Sequence, residues 1–321
     1  MKRDFFTYLR RLLPIIGIII LIAIVLLLDI NKITESFLSI DLKYIIIALS
    51  FTIPKILLFG ISWKVLLNEQ SIKLSFLLTM KIYLIGVFYG SFTPGFLGHL
   101  IRAPYVKEKT NEPYGKIFVN MYMEVALRTI ALFLMIMIGT ILLIGTYPEF
   151  FIVTILIFIA TLIIYIYIIK KERGEKLFNF LIKYLIPRRF KDQLYRFIET
   201  FYNDFPRLRI LAYPLIIGFC IWLVTFTQEY IMVMALGLDI PYILFLVLFP
   251  IANIAGYLPI AFGGLGTREF TSILIFTTLF SVSPEDVLVF TLMGFVVTDI
   301  AMAIIGFFLS LTETKKHIPS V

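Results

Sequence analysis

Apolar residues along this chain come in long unbroken runs, not in the 3.6- or 2-residue periods that mark half-buried elements of soluble domains. Nine runs stand out, at 12–28, 44–63, 74–92, 117–147, 150–169, 210–236, 241–258, 270–280 and 287–311. Most approach or exceed the ~20 residues a helix needs to cross a ~30 Å hydrocarbon layer. Repeated strand-length alternation is absent, which argues against a β-barrel. The pattern predicts an all-α, polytopic integral membrane protein, with a single transmembrane domain over 1–321.

Two runs are irregular. The third leads at once into Thr93-Pro94-Gly95-Phe96-Leu97-Gly98-His99-Leu100-Ile101-Arg102, and the seventh into Pro259-Ile260-Ala261-Phe262-Gly263-Gly264-Leu265-Gly266-Thr267-Arg268-Glu269. The eighth, 270–280, is too short to span. Pro94 and Pro259 lie 165 residues apart (259 − 94), about half the chain, and each opens a Gly-rich stretch that ends in arginine. Gly/Pro-broken helices at matching places in two halves point to a transporter-type binding site and suggest an internal pseudo-repeat.

Charge sets the expected topology. The connection 170–209 holds eleven Lys/Arg against five Asp/Glu, which by the positive-inside rule is a cytoplasmic feature. The N-terminus, with Lys2, Arg3, Arg10 and Arg11, and the tail with Lys315 and Lys316 belong on the same side. The 29–43 loop and the loop carrying Glu285 and Asp286 suit the outside. If 74–101 crossed fully, 170–209 would fall outside. A re-entrant hairpin turning at 93–98 removes the conflict, giving eight crossings, one hairpin and two cytoplasmic termini at the cell membrane.

Within 170–209, Leu177, Phe180, Leu181, Tyr184 and Leu185 share one helical face, and Phe190, Leu194, Phe197, Ile198 and Phe201 another. Pro187 separates them. The pattern reads as two basic helices lying in the headgroup layer, or as a solvated amphipathic linker.

Composition agrees: 60% of the 321 residues are hydrophobic and only 16% charged, with a mean hydropathy of +0.98. That leaves too little polar surface to coat a soluble globule. The net charge of +8 would suggest nucleic acid in a soluble protein. Here it lies in loops and ends, and points to anionic headgroups instead. One cysteine, Cys220, and two histidines give neither an intrachain disulfide nor a metal-ligand set. The 12–28 run follows a basic stretch like a signal peptide but is long for one and lacks a small-residue cleavage site, so it reads as a retained helix.

Charged residues inside hydrocarbon cost about 2.5–3.5 kcal/mol each and need a reason. Lys55, Lys81, Glu124, Arg128, Glu229 and Asp299 fall inside apolar runs, and Arg102, Arg268 and Glu269 flank the broken ones. Glu124 and Arg128, spaced i,i+4 with Asn120 one turn earlier, form either a polar stripe lining a cavity or a self-neutralising pair. Lys55 and Lys81 are expected to snorkel to the interface. Glu229, near the outer end of its run, is expected to reach water, and Asp299, mid-run, to have a cationic partner. Gly98, Gly264 and Gly266 permit close backbone approach, half-helix N-termini there would offer N–H groups to an anion, and Arg102 and Arg268 would add guanidinium contacts. The alternative is that the glycines serve packing and Arg268 marks a membrane edge. No G-x-S-x-G, H-E-x-x-H, paired-aspartate or P-loop motif occurs, and Ser91 near His99 is a weak nucleophile–base pair. No catalytic residue and no cofactor are expected.

Taken together, Pro94-Gly95-x-x-Gly98-x-x-x-Arg102, Glu124 in the next helix, Pro259-x-x-x-Gly263-Gly264-x-Gly266-x-Arg268-Glu269, and Trp63-x-x-Leu66-Leu67 resemble the transmembrane region of lysylphosphatidylglycerol synthases, a family with many stand-alone members. The resemblance spans nearly the whole chain, and Gly-Gly-x-Gly-x-Arg-Glu is its most specific part. It implies a flippase-like domain that moves a lipid between leaflets, with helices that enter and leave on one side. This sequence departs from the pattern at His99, where an acidic residue is usual, and at Val125 and Arg128, where arginine and aspartate are usual. Asp299 stands in place of an arginine. The last changes look like a charge exchange that would pair Arg128 with Asp299. The synthases' aminoacyl-transfer domain has no counterpart here, so lysyl transfer is not implied.

The leading expectation is a lipid translocase or lipid-binding protein for an anionic phospholipid or polyprenyl phosphate. Its headgroup site would comprise Arg102, Arg268, Gly98, His99, Gly264, Gly266, Glu269, Glu124, Arg128 and Asp299. Rival readings are a membrane-embedded enzyme acting on a lipid phosphate and a non-transporting accessory subunit. A homo-oligomer or a partner enzyme is compatible with each; nucleic acid is not an expected partner.

Overall fold

The computed structural model describes residues 17–93, 97–142, 144–145, 148–185, 191–203, 211–257 and 263–314. Pro94, Gly95, Phe96, Pro187, Phe190, Pro259 and the basic residues of both chain ends lie outside them. Among the described residues every regular element is helical. In order they are α1 (Gly17–Leu27), α2 (Ile30–Ser39), α3 (Leu42–Ser50), α4 (Thr52–Glu69), α5 (Phe76–Ser91), a 3₁₀ turn (Leu97–Ile101), α6 (Arg102–Thr110), α7 (Tyr114–Leu142) and α8 (Pro148–Ile169). There follow α9 (Lys171–Leu185), α10 (Lys191–Asn203), α11 (Ala212–Ala235), α12 (Tyr242–Gly256), α13 (Thr267–Phe280), α14 (Pro284–Phe295), a π-turn (Val296–Ile300) and α15 (Ala301–Thr314).

Among the described residues, five stretches are long and apolar enough to cross a membrane: Leu42–Glu69, Tyr114–Ile141, Phe151–Ile169, Ala212–Ala235 and Pro284–Thr312. The pair Gly17–Leu27 and Ile30–Ser39 makes a sixth if it is one span, but it bends by 97°. The expected eight crossings therefore come out as five or six by length. The difference lies in the runs that break: α5 and α12 have 16 and 15 residues, or about 22–24 Å at 1.5 Å per residue, and α13 is shorter still.

The bend after α1 has a local cause. Asp29 is the N-cap of α2, its carboxylate accepting from the Asn31 and Lys32 amides, so a new helix starts there. The Asp29 amide donates to Glu285 Oε1 at 3.3 Å, and Ser36 Oγ to Asp286 Oδ1 at 2.5 Å, tying this helix to the first turn of α14. The two acidic loops assigned to one membrane face by charge are thus in contact.

The chain divides into two compact units, residues 1–57, 80–101 and 221–321 in the first, and 58–79 and 102–220 in the second. The first is centred on phenylalanines: Phe245, Phe249, Phe276 and Phe290 are buried and mutually in ring contact, with Phe245 stacked on Phe249 at 4.8 Å, and the buried Phe226 joins them through Phe249. In the second, α10 lies along α7. Its Ile198, Phe201 and Tyr202 are buried with Val119, Met123, Leu127, Leu66 and Leu211. The apolar face of α10, expected to dip into headgroups, is therefore spent on protein: α7 offers it a close-packed apolar partner. Tyr202 adds a hydrogen bond to the Ile168 carbonyl at 2.7 Å, and burial with Glu175 nearby raises its hydroxyl pKa to about 12, so it remains a donor. On α9, Leu177 and Phe180 are exposed.

Candidate functional site

Both broken segments double back on the helix that precedes them. After α5 the Gly98 amide donates to Thr93 Oγ1 at 2.6 Å. A Cβ on Gly98 would lie 2.0 Å from the Tyr89 carbonyl, so only glycine permits this approach. The His99 ring then covers Gly90 and lies near Tyr83. After α12, Gly264 (φ +80°) sits against Gly256, where a Cβ would meet the Gly256 Cα at 2.9 Å. Gly266 (φ +90°) meets the Gly17 carbonyl of α1, 2.0 Å from where a Cβ would be. Gly98 and Gly264, each just past a break in the chain's apolar runs, thus share one device, backbone packed on backbone.

Each turn delivers an arginine to the first turn of a short helix, and each arginine is buried, Arg102 at 1% exposure and Arg268 at 3%. In the second unit Arg102 Nη2 donates to Glu124 Oε2 at 3.0 Å, and Arg128 Nη1 to Glu124 Oε1 at 2.7 Å. The Arg102 guanidinium lies 4.7 Å from the Trp63 ring centre. Trp63 Nε1 in turn donates to Asn120 Oδ1 at 2.8 Å, and Asn120 Nδ2 to Gln70 Oε1 at 2.6 Å. The Asn120–Glu124–Arg128 stripe is therefore wired into the protein. Arg128, expected to face Asp299, is held by Glu124 one turn away, the nearest anion on its own helix.

In the first unit Arg268 Nε and Nη2 both donate to Glu269 Oε1, at 3.1 and 2.7 Å, with the guanidinium over Phe295. Glu269 Oε2 accepts the Gly266 amide at 2.5 Å, the one half of a capping box that a glycine N-cap allows. The anion that was to find free N–H groups at this helix start is thus the chain's own carboxylate.

Two charged side chains, Lys55 and Glu229, differ from their expected settings. Lys55 is 3% exposed and does not snorkel; its Nζ donates to the Thr298 carbonyl at 3.3 Å. Glu229 is also 3% exposed and does not reach water. Its Oε1 accepts from Thr298 Oγ1 at 3.2 Å, and its carboxylate lies on Gly294, the one residue small enough to admit it. Asp299 is half-buried, accepts from the same hydroxyl at 3.2 Å, and has Arg268 as a cation in electrostatic reach. The π-turn exposes carbonyls that α-helical geometry would use, and Gln228 Nε2 takes Val297 O at 2.7 Å while also reaching Thr52 Oγ1 at 3.1 Å. Gln228, Thr298 and Gly294, which make these contacts, were not singled out in the sequence. The adjacent polar pairs Gln228-Glu229 and Thr298-Asp299, each inside an apolar run, were the available signal.

The geometry defines a multi-pass helical membrane protein with two glycine-turned broken segments and buried charge clusters beside each. The family profile Lysylphosphatidylglycerol synthase TM region matches residues 15–306, and the chain belongs to that family. It is similar to a UPF0104 membrane protein of Methanothermobacter thermautotrophicus, 22% identical over 294 residues covering 85% of this chain and 86% of the relative. A UPF0104 membrane protein of Methanocaldococcus jannaschii is 24% identical over 314 residues, 92% of each chain.

Proposed function

We propose that this protein binds an anionic or phosphate-bearing lipid and passes it between leaflets, with both chain termini in the cytoplasm. The observation that carries the reading is the paired arginines: each broken segment ends in a guanidinium taken out of water and held by one carboxylate and one aromatic face. A headgroup phosphate offers the same bidentate acceptor as a carboxylate. It would compete with Glu124 for Arg102 and with Glu269 for Arg268, so the resting ion pairs keep the guanidiniums oriented until lipid replaces the protein's own anion. Gly98, His99, Gly264 and Gly266 shape the turns, and Arg128 and Asp299 set the local charge. Membership in a family named for lysylphosphatidylglycerol synthases supports a lipid as the ligand.

The test is binding of defined phospholipids and polyprenyl phosphates to purified Arg102→Ala, Arg268→Ala and Lys107→Ala proteins. Each arginine change should weaken the same ligand about ten- to a hundred-fold while Lys107→Ala binds as the parent does. Arginine variants that fold and bind every lipid normally would reduce the pairs to structural struts. Orientation is tested separately by cysteines at positions 108 and 193 in a Cys220→Ser background, which should both be labelled from the cytoplasmic side alone.

A further inference from the structure

We propose that Glu229, with Thr298 and Asp299, is a buried binding site for one exchangeable proton, seated against the π-turn of the last long span. The argument is a count of hydrogens. Thr298 Oγ1 lies within hydrogen-bond distance of three acceptors: the Gly294 carbonyl at 2.8 Å, Glu229 Oε1 at 3.2 Å and Asp299 Oδ2 at 3.2 Å. A hydroxyl has one hydrogen. With both carboxylates ionised, it serves one of the three and turns lone pairs toward the other two. Glu229 Oε2, on the far side of the same carboxyl group, is buried with no hydrogen-bond partner among the described residues, as is Oε1 of the neighbouring Gln228, itself fully buried. A buried acceptor left in this state is costly.

One proton on Glu229 relieves the contact between Oε1 and Thr298. The acid O–H then donates to Thr298 Oγ1, the Thr298 hydrogen is free for the closest acceptor, Gly294 O, and one of two neighbouring negative charges is removed. The charged groups facing Glu229 are Lys55 from α4, Arg268 from α13 and Asp299 from the π-turn. The hydrogen bonds described for the two cations go elsewhere: Lys55 donates to the Thr298 carbonyl, and Arg268 to Glu269 and weakly to Thr291 O. A proton also fits better than a metal ion, because no group of three or more His, Cys, Asp or Glu among the described residues is placed to hold one.

The consequence for the lipid reading, on which this step rests, is a coupling. The π-turn is held by three side chains meeting at adjacent residues: Gln228 on Val297 O, Lys55 on Thr298 O and Glu229 on Thr298 Oγ1. Loss of the Glu229 proton restores a second negative charge beside the turn and strengthens the pull on Lys55 and Arg268. The same Arg268 would bind headgroup phosphate, so proton release and headgroup release would favour one another.

The test is infrared spectroscopy of the purified chain in lipid nanodiscs, titrated with pH. A band for the carbonyl stretch of a neutral carboxylic acid should be present, shift on glutamate-specific isotope labelling, and disappear on alkaline titration. Glu229→Gln, which keeps the shape and a donor for Thr298, should remove that band, and Asp299→Asn should retain it. A parent protein without the band, or with a band that moves only on aspartate labelling, overturns the proposal even if Glu229→Gln fails to fold. A band abolished by sodium but not by choline would make the site a cation site and overturn it equally. Lipid transfer between liposomes, measured on the same preparations, separates the two readings. A titrating glutamate with no lipid transfer keeps the proton site and removes the translocase; transfer with the same pH profile in Glu229→Gln removes the coupling alone.

Discussion

The two buried charge clusters are built on opposite plans. In the second unit, Glu124 is shared between two arginines, Arg102 and Arg128, and both of its oxygens are engaged at 3.0 and 2.7 Å. In the first unit, Arg268 spends two nitrogens on one oxygen of Glu269, whose other oxygen caps α13, and a further carboxylate, Glu229, is left with a single weak contact. One cluster has a spare cation for its anion; the other has a spare anion near its cation. Removing either arginine should therefore be the milder change in the second unit, where Glu124 keeps the other, whereas Glu269 in the first unit serves Arg268 and the Gly266 amide together and has no substitute for both, a difference that burial alone would not teach, since Arg102 and Arg268 are almost equally buried.

The largest effect is expected at Glu269. Glu269→Ala removes the partner of a buried guanidinium and the acceptor for the Gly266 amide together, and should lower the stability of the detergent-solubilised protein by about 3–5 kcal/mol. Thermal unfolding followed by circular dichroism measures it. Glu269→Gln, which keeps an acceptor for the amide, should cost clearly less, and equal losses would mean that the cap contributes nothing.

Arg102→Ala comes next, at about 1.5–3 kcal/mol, because Glu124 keeps Arg128 as a charged donor. Arg128→Ala alone should be milder, since its side chain is 17% exposed and Arg102 remains on Glu124. The double variant should cost more than the two single losses combined, as it strips Glu124 of both cations. Simple additivity in that cycle would break the idea of a shared carboxylate.

Gly264→Ala and Gly98→Ala compare the two turns. Gly264 has both a positive φ and a tight neighbour, whereas Gly98 has only the tight neighbour. Strain of about 1–3 kcal/mol from the left-handed backbone should appear at Gly264 in addition to the clash. A Gly264→Ala protein as stable as the parent would show that the 263–266 turn can re-form around a side chain. The smallest effect is expected at Lys107, whose ammonium donates to the Asn111 carbonyl in an exposed setting. Lys107→Ala should stay within about 0.5 kcal/mol of the parent, and it serves as the control for charge removal near Arg102.

Much of the architecture was legible in the chain. A run of twenty apolar residues has one stable solution in a bilayer, so all-helical folding, the membrane class and the breaks at 93–98 and 259–266 follow from local composition. Glycine and proline mark those breaks because their backbone preferences act at the residue itself. The i,i+4 pair Glu124–Arg128 was legible for the same reason: helix geometry alone brings the side chains together. What was not legible was the partner of any charge lying far along the chain. Lys55 was read as a snorkelling lysine, yet it reaches a carbonyl 243 residues away. Glu229 was read as near water, yet it is enclosed with Thr298 and Gly294, 69 and 65 residues on. The apolar face of α10 could not say whether lipid or α7 would cover it, because both bury hydrophobic surface. The sequence by itself determined where helices form and where they must break, since those are properties of neighbouring residues. Only the tertiary structure decided which buried charges are answered and which are not, because a charge at low dielectric is settled by whatever group packing brings within a few ångströms, and sequence distance carries no information about that.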